Sequence, residues 1–311
     1  MALERKELLL PITDAPLTPV SRPASAIMLM IFALCLASVS GAMMKILSET
    51  MEPPLVSFLR FAGYFILLLP LAVFQYGRRV FVTARPMVQV LRGLALVLGN
   101  TAFMYGVRQV DYANAIAILY IYPFLMIALS AWFLSERVTL ISWMGVSGGF
   151  LGVILVMRPN VSGIDFYGLF IVFTGFMVAV QMLLNRKLGV LSPPIVVAVW
   201  GAFTATLISG LSLPLYWRMP TQDEFFLIFL LAALTALSQT LMIVSMSWAT
   251  ADKIAPYTYS EIPFAVLVGY IFFQTTPDAL SWTGICLIIL SGIAVVVLPR
   301  LFKPHNTEMS R

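Results

Sequence analysis

Runs of about twenty apolar residues recur along this whole sequence, separated by short segments that hold most of its prolines and charges. A helix needs about 20 such residues to cross the hydrocarbon core of a bilayer. Spans fit at 26–47, 54–76, 86–108, 113–134, 141–157, 164–184, 194–216, 225–248, 254–273 and 280–299. Breakers mark the connections: Glu52-Pro53-Pro54, Arg85-Pro86, Ser192-Pro193-Pro194 and Thr276-Pro277-Asp278. With 60% hydrophobic and 11% charged residues, the chain has too little polar surface to coat a globule in water. The pattern predicts an all-α integral membrane protein of ten transmembrane helices.

Charge placement gives the direction. Of 19 Lys and Arg residues, 13 fall in segments that are cytosolic if both termini are inside, and four (Lys45, Arg108, Arg158, Arg218) fall outside. Arg60 and Arg92 lie within spans. The positive-inside bias favours two cytosolic ends and an even number of crossings. Residues 1–25 read as a cytosolic N-terminal tail and 301–311 as a cytosolic C-terminal tail. The basic residues form no cluster, so nucleic acid is not an expected partner; the lipid bilayer is. His305 is the only histidine, and Cys35 and Cys286 sit singly in apolar runs. Neither a metal site nor a cofactor is predicted, and there is little material for catalysis.

The sequence also matches itself at an offset of 140 residues. Pro53-Pro54 falls on Pro193-Pro194, Val56 on Val196, Ala115 on Ala255, Pro123-Phe124 on Pro263-Phe264, Gly152 on Gly292 and Pro159 on Pro299. With a one-residue gap, Ser142-Trp143 and Gly145 fall on Ser281-Trp282 and Gly284. The expected domains are a five-helix repeat at 26–159 and a second at 160–300. Five crossings per copy force the second copy to enter the membrane inverted, a plan recurrent in secondary transporters with a midplane site.

In Arg60, Leu91-Arg92-Gly93, the stretch from Ala113 through Pro123 to Phe133-Leu134-Ser135-Glu136, Trp143-Met144-Gly145 and Gly149-Phe150-Leu151-Gly152-Val153, the chain resembles the drug/metabolite transporter superfamily. The likeness is to bacterial ten-helix EamA-type permeases. It departs from them in having Gln274-Thr275-Thr276 where the first half has Glu136. Ala255-Pro256-Tyr257, Tyr259 and Glu261 are similar to the ninth helix of S-adenosylmethionine carriers; riboflavin and amino-acid carriers also occur among such permeases. The resemblance implies alternating-access transport of a small metabolite across the inner membrane. The alternatives from other classes are an intramembrane enzyme and a non-transporting scaffold.

Polar groups inside the membrane are the candidates for substrate binding or coupling. Glu261 lies about eight residues, roughly 12 Å, into its helix from Lys253. It could bind a cationic substrate group, exchange a proton or ion during coupling, or make a structural hydrogen bond. Tyr257, four residues earlier, is expected on the same face. Tyr259 belongs to the same motif. On the fourth span Asn114, Ile118 and Tyr122 form a matching stripe. Pro123 and Pro263 are expected to kink their helices and free the carbonyls of Leu119 and Tyr259. Arg60 and Arg92 could bind a carboxylate, neutralise Glu261 or snorkel. Trp200, at the repeat position of Arg60, and Asn100 and Gln239 complete the set. Gly145/Gly149 and Gly148/Gly152 have helix-packing spacing, for scaffold or for a homodimer face.

Overall fold

A computed structural model describes residues 23–83, 85–133, 139–157, 166–189, 193–249 and 251–301. Residues 1–22 and 302–311 of the expected tails, Pro159 and the Leu134-Ser135-Glu136 motif lie outside these residues, whereas Pro23, Ala24 and Ser25 of the expected N-terminal tail already belong to the first helix. Helices are α1 Pro23–Thr50, α2 Pro53–Tyr76, α3 Pro86–Val107, α4 Tyr112–Leu119, α5 Tyr122–Phe133, α6 Leu140–Met157 and α7 Phe166–Gly189. They continue with α8 Pro194–Gly210, α9 Leu213–Tyr216, α10 Gln222–Trp248, α11 Ala251–Ile254, α12 Glu261–Phe273 and α13 Ala279–Leu301. Short 3-10 segments cover Gly77–Phe81 and Ala255–Ser260. No strand occurs among the described residues.

The helices start where the sequence removes a donor that would have no acceptor. Prolines open α2, α3 and α8 at their first or second positions, where the missing N–H costs nothing. Thr221 opens α10 by a capping box, its hydroxyl accepting from the Glu224 N–H while the Glu224 carboxylate accepts from the Thr221 N–H. The C-terminal carbonyls of α1 are met by arginines from other elements. Arg108 donates to Ser48 and Met51 at 2.5 and 3.0 Å, and Arg218 to Thr50 at 2.8 Å. Buried Lys45 donates to the Val110 carbonyl at 2.8 Å. Three of the four cations expected outside thus gather at one end of α1.

Eight stretches are long and apolar enough to span a membrane. Pro194–Gly210 is a shorter apolar helix of 17 residues. The expected span at 254–273 is not one continuous helix: it is α11, a 3-10 segment and the 13-residue α12 in series. The all-α membrane architecture agrees with the expectation, and the division within 254–273 is caused by Pro256 and Pro263 in one stretch. The stretch at 112–132 is also divided, at Tyr120-Ile121, just before Pro123. Large apolar side chains such as Phe74 (92% exposed), Leu215 and Trp132 point outward. In water they would form an aggregating surface; in lipid they are the solvated face.

Helices of the first half pack chiefly on helices of the second. α2 meets α8, with Phe65 beside Phe203 (5.5 Å) and Phe58 beside Gly210. α4 meets α12, with Tyr112 beside Phe273 and Tyr120 beside Glu261, so the two run in opposite directions. α6 meets α13, pairing Gly145 with Val295, Gly148 with Ser291 and Gly152 with Ile288. Contacts of α1 with α10 mirror those of α3 with α7: Ser40, Ala33 and Ala26 face Thr235, Ser238 and Ser245, while Gly106, Gly99 and Arg92 face Ile171, Thr174 and Asn185.

The α6–α13 seam explains the glycine spacing. A Cβ on Gly152 would stand 2.8 Å from the Gly284 carbonyl oxygen, and one on Gly284 would stand 2.7 Å from that of Gly152. Gly149 makes room for the Phe124 ring. These glycines are occupied within one chain, so they offer no free face to a second copy. Gly152→Leu overpacks the seam by roughly 1–3 kcal/mol. We expect a lower apparent melting temperature for the detergent-solubilised variant, read by size exclusion after heating. Leu151→Ala, on the exposed side of the same helix, should change it little.

Candidate functional site

The two broken spans meet at their breaks. Tyr120 lies in the turn between α4 and α5, and Glu261 is the first residue of α12, directly after the 3-10 segment. The Tyr120 hydroxyl donates to the Thr258 carbonyl at 2.6 Å and stands 2.7 Å from Glu261 Oε2. A phenol has one hydrogen for these two oxygens. Both short contacts are satisfied together when the carboxyl group brings a hydrogen of its own and donates it to the phenol.

Tyrosines wall this junction. The Tyr120 ring lies 5.5 Å from Tyr122 and 5.4 Å from Tyr259, measured between centroids. Tyr259 is buried and its ring is accommodated by Gly292. α1 closes another side: Ser38 Oγ donates to the Glu261 carbonyl at 3.3 Å, and Tyr112 Oη donates to the Ser38 carbonyl at 2.5 Å. Tyr112 is fully buried, with its ring against Gly41.

The other expected residues fall into distinct places. Tyr257 is 42% exposed and does not share a face with Glu261. The reason is the 3-10 geometry of Ala255–Ser260: at three residues per turn, Thr258 rather than Tyr257 stacks under Glu261. Likewise the Asn114, Ile118 and Tyr122 stripe is not continuous, because α4 ends at Leu119. Asn114 Oδ1 is buried with no hydrogen-bond partner. Pro123 and Pro263 do not kink continuous helices; they sit in the first turns of α5 and α12, where new helices begin. The Tyr259 carbonyl is not freed, since it accepts the Glu261 N–H.

Arg60 is only partly buried, and α1, α2, α3 and α10 surround it. Its Nε donates to Thr235 Oγ1 at 3.2 Å, and Nη1 faces Met44 Sδ at 2.8 Å and donates to Asn100 Oδ1. Asn100 in turn donates to Ser57 at 2.7 Å. No ion pair joins Arg60 to Glu261. Arg92 is buried between α3, α7 and α8, donating to Asn185 Oδ1 at 2.5 Å and the Val197 carbonyl at 2.7 Å, with its guanidinium over Gly201. It clamps three helices and does not snorkel. Trp200 donates to the Val80 carbonyl at 2.9 Å, tying α8 to the 3-10 turn after α2, and Gln239 is exposed on α10.

Sequence reasoning missed Tyr120. The signal was present, because Tyr120 corresponds to Ser260 at the repeat offset of 140 and so faces the residue next to Glu261. The helical spacing rule drew attention to Tyr122 instead.

Broken helices, a polar junction between halves and an apolar exterior mark a multi-pass membrane protein. Residues 24–158 match the model of the EamA-like transporter family, and the chain is similar to small-metabolite transporters over most of its length. It is 28% identical to the S-adenosylmethionine uptake transporter of Rickettsia bellii over 260 residues, covering 84% of this chain and 89% of the relative. It is 28% identical to the riboflavin transporter of Rhizobium johnstonii over 215 residues, covering 69% and 71%. The pseudopaline exporter CntI of Pseudomonas aeruginosa is 26% identical over 276 residues, with 87% and 95% covered. A solved crystal structure, 19% identical, shares the fold at a TM-score of 0.63 over 90% of this chain and 99% of its own.

Coupling between Tyr120 and Glu261 is measurable without a substrate. In a double-mutant cycle of Tyr120→Phe and Glu261→Gln, thermal stabilities should be non-additive by about 0.5–3 kcal/mol, the range for residues in one hydrogen-bond network. Additive losses would mean that the two groups do not interact.

Proposed function

We propose that the chain carries a small amphipathic metabolite with a cationic group across the bacterial inner membrane, by alternating access, with S-adenosylmethionine as the leading candidate. The observation that carries this reading is the Glu261 carboxyl group at the junction of two broken helices, capped by Tyr120 and walled by aromatic rings. A carboxylate released from its hydrogen there pairs with an ammonium or sulfonium, and the tyrosine faces suit a planar base and a cation alike. The S-adenosylmethionine relatives also align over more of the chain than the riboflavin relative of Rhizobium johnstonii does.

In this reading the chain crosses ten times, the divided ninth stretch included, as two inverted five-helix repeats at 26–159 and 160–300 with both termini cytosolic. The opposed packing of α2 on α8, α4 on α12 and α6 on α13 supports the inversion. Burial is unequal at matching positions of the two repeats. Ala115, Ala117 and Ile118 are fully packed, whereas Ala255, Tyr257 and Thr258 keep accessible surface. That asymmetry supports a state shut at the α4 end and looser at the α11 end.

Glu261→Gln should abolish concentrative uptake of labelled S-adenosylmethionine into proteoliposomes while the variant still inserts and elutes as the wild type does. If a pH gradient drives wild-type uptake and not that of the variant, the same carboxyl group carries the coupling proton. Wild-type uptake by the variant, gradient dependence included, removes Glu261 from the mechanism. For topology, a cysteine reagent that cannot cross membranes should label engineered cysteines at Glu52 and Asp278, and none in the two tails, in intact cells.

A further inference from the structure

Arg60 has a shell of neutral groups only. Its hydrogens run outward in two chains: to Asn100, then Ser57, then Thr101, and to Thr235, paired with Ser40 at 3.0 Å. These dipoles solvate the cation but leave its charge uncompensated. Among the described residues Nη2 has no acceptor, although part of the side chain remains accessible where four helices meet. Arg92, by contrast, is spent on holding α3 to α7 and α8 and is 7% exposed.

The position of Arg60 relative to Glu261 follows from α1. Ser38 touches Glu261, Gly41 takes the Tyr112 ring, and Met44 touches Arg60. At about 100° per residue these three residues occupy roughly 120° of one helix face, within a rise of about 9 Å. Tyr112, with its ring on Gly41 and its hydroxyl on the Ser38 carbonyl, stands between the two charges along α1. A carboxyl group and a guanidinium therefore flank one tyrosine, about 9 Å apart along α1, without pairing.

We propose that Arg60 is the carboxylate-binding group of the transport site, its free Nη2 receiving a carboxylate, with Nη1 giving up the weakly accepting Met44 sulfur to complete the fork, while Glu261 receives the cationic end of the same molecule. A partly buried cation without a counter-charge gains when an anion joins it, and the guanidinium fork suits a carboxylate. The site thereby selects zwitterionic, amino-acid-like substrates over neutral planar ones such as riboflavin. This rests on the transport reading above and adds to it the half of the substrate opposite the cation.

The experiment uses proteoliposomes and labelled S-adenosylmethionine, with unlabelled S-adenosylmethionine and its decarboxylated analogue as competitors. Wild type should prefer the carboxylate-bearing competitor by roughly 10–100-fold, the range for a charge-assisted bidentate contact at about 1.4 kcal/mol per decade. Arg60→Gln should raise KM for S-adenosylmethionine by a similar factor and leave the inhibition constant of the decarboxylated analogue within about threefold of wild type. Arg60→Lys, which keeps charge but loses the fork, should fall between them and shows whether a folded variant is being read. Equal competition by the two compounds in wild type, or unchanged discrimination in Arg60→Gln, overturns the carboxylate site and leaves transport standing. Absence of any S-adenosylmethionine uptake by wild type overturns the proposed substrate and this site with it.

Discussion

A polypeptide in hydrocarbon must satisfy its own backbone hydrogen bonds, and this constraint governs where the molecule can place chemistry. Two of its apolar stretches give up helical continuity, at Tyr120-Ile121 and Ala255–Ser260, and both do so inside the protein rather than against lipid. Each break is tolerated because the other supplies partners. Tyr120, standing in one interruption, caps the Thr258 carbonyl exposed by the other and meets the acid that restarts the helix. The junction is thus stabilising and reactive for the same reason: irregular backbone leaves polar atoms that side chains must reach.

Helices of the N-terminal half find their main partners in the C-terminal half, so the core is shared between them. At the α6–α13 seam glycines bring two backbones together without intervening side chains. The charges lie elsewhere, around one face of α1, which touches Glu261, Tyr112 and the Arg60 shell through Ser38, Gly41, Ser40 and Met44. α1 is accordingly the element through which changes at the two charges are felt together.

The outline of the fold was legible in the sequence, since apolar length, terminal prolines and charge bias are direct expressions of bilayer physics. The offset of 140 residues drew attention to Pro123 and Pro263, but as kinks, whereas both stand in the first turns of new helices. Side-chain partnerships were less legible, and the reason is geometric. Spacing rules assume an α-helix, so Tyr257 was placed beside Glu261; a 3-10 turn carried it to an exposed position and brought Thr258 into its place. The partner of Glu261 came from a residue 141 positions away, which no local periodicity encodes. The neutral shell of Arg60 likewise assembles from four helices, so sequence could name the arginine but not its vacant donor edge.

Gly41 is the notch into which the Tyr112 ring seats, and no larger residue would leave that space. The ring is fixed at this end of α4 by shape, while its hydroxyl is tethered by one bond to a backbone carbonyl. Any side chain at position 41 would claim the space the ring fills, so the fit of α1 against α4 is set by one missing methyl group as much as by that bond.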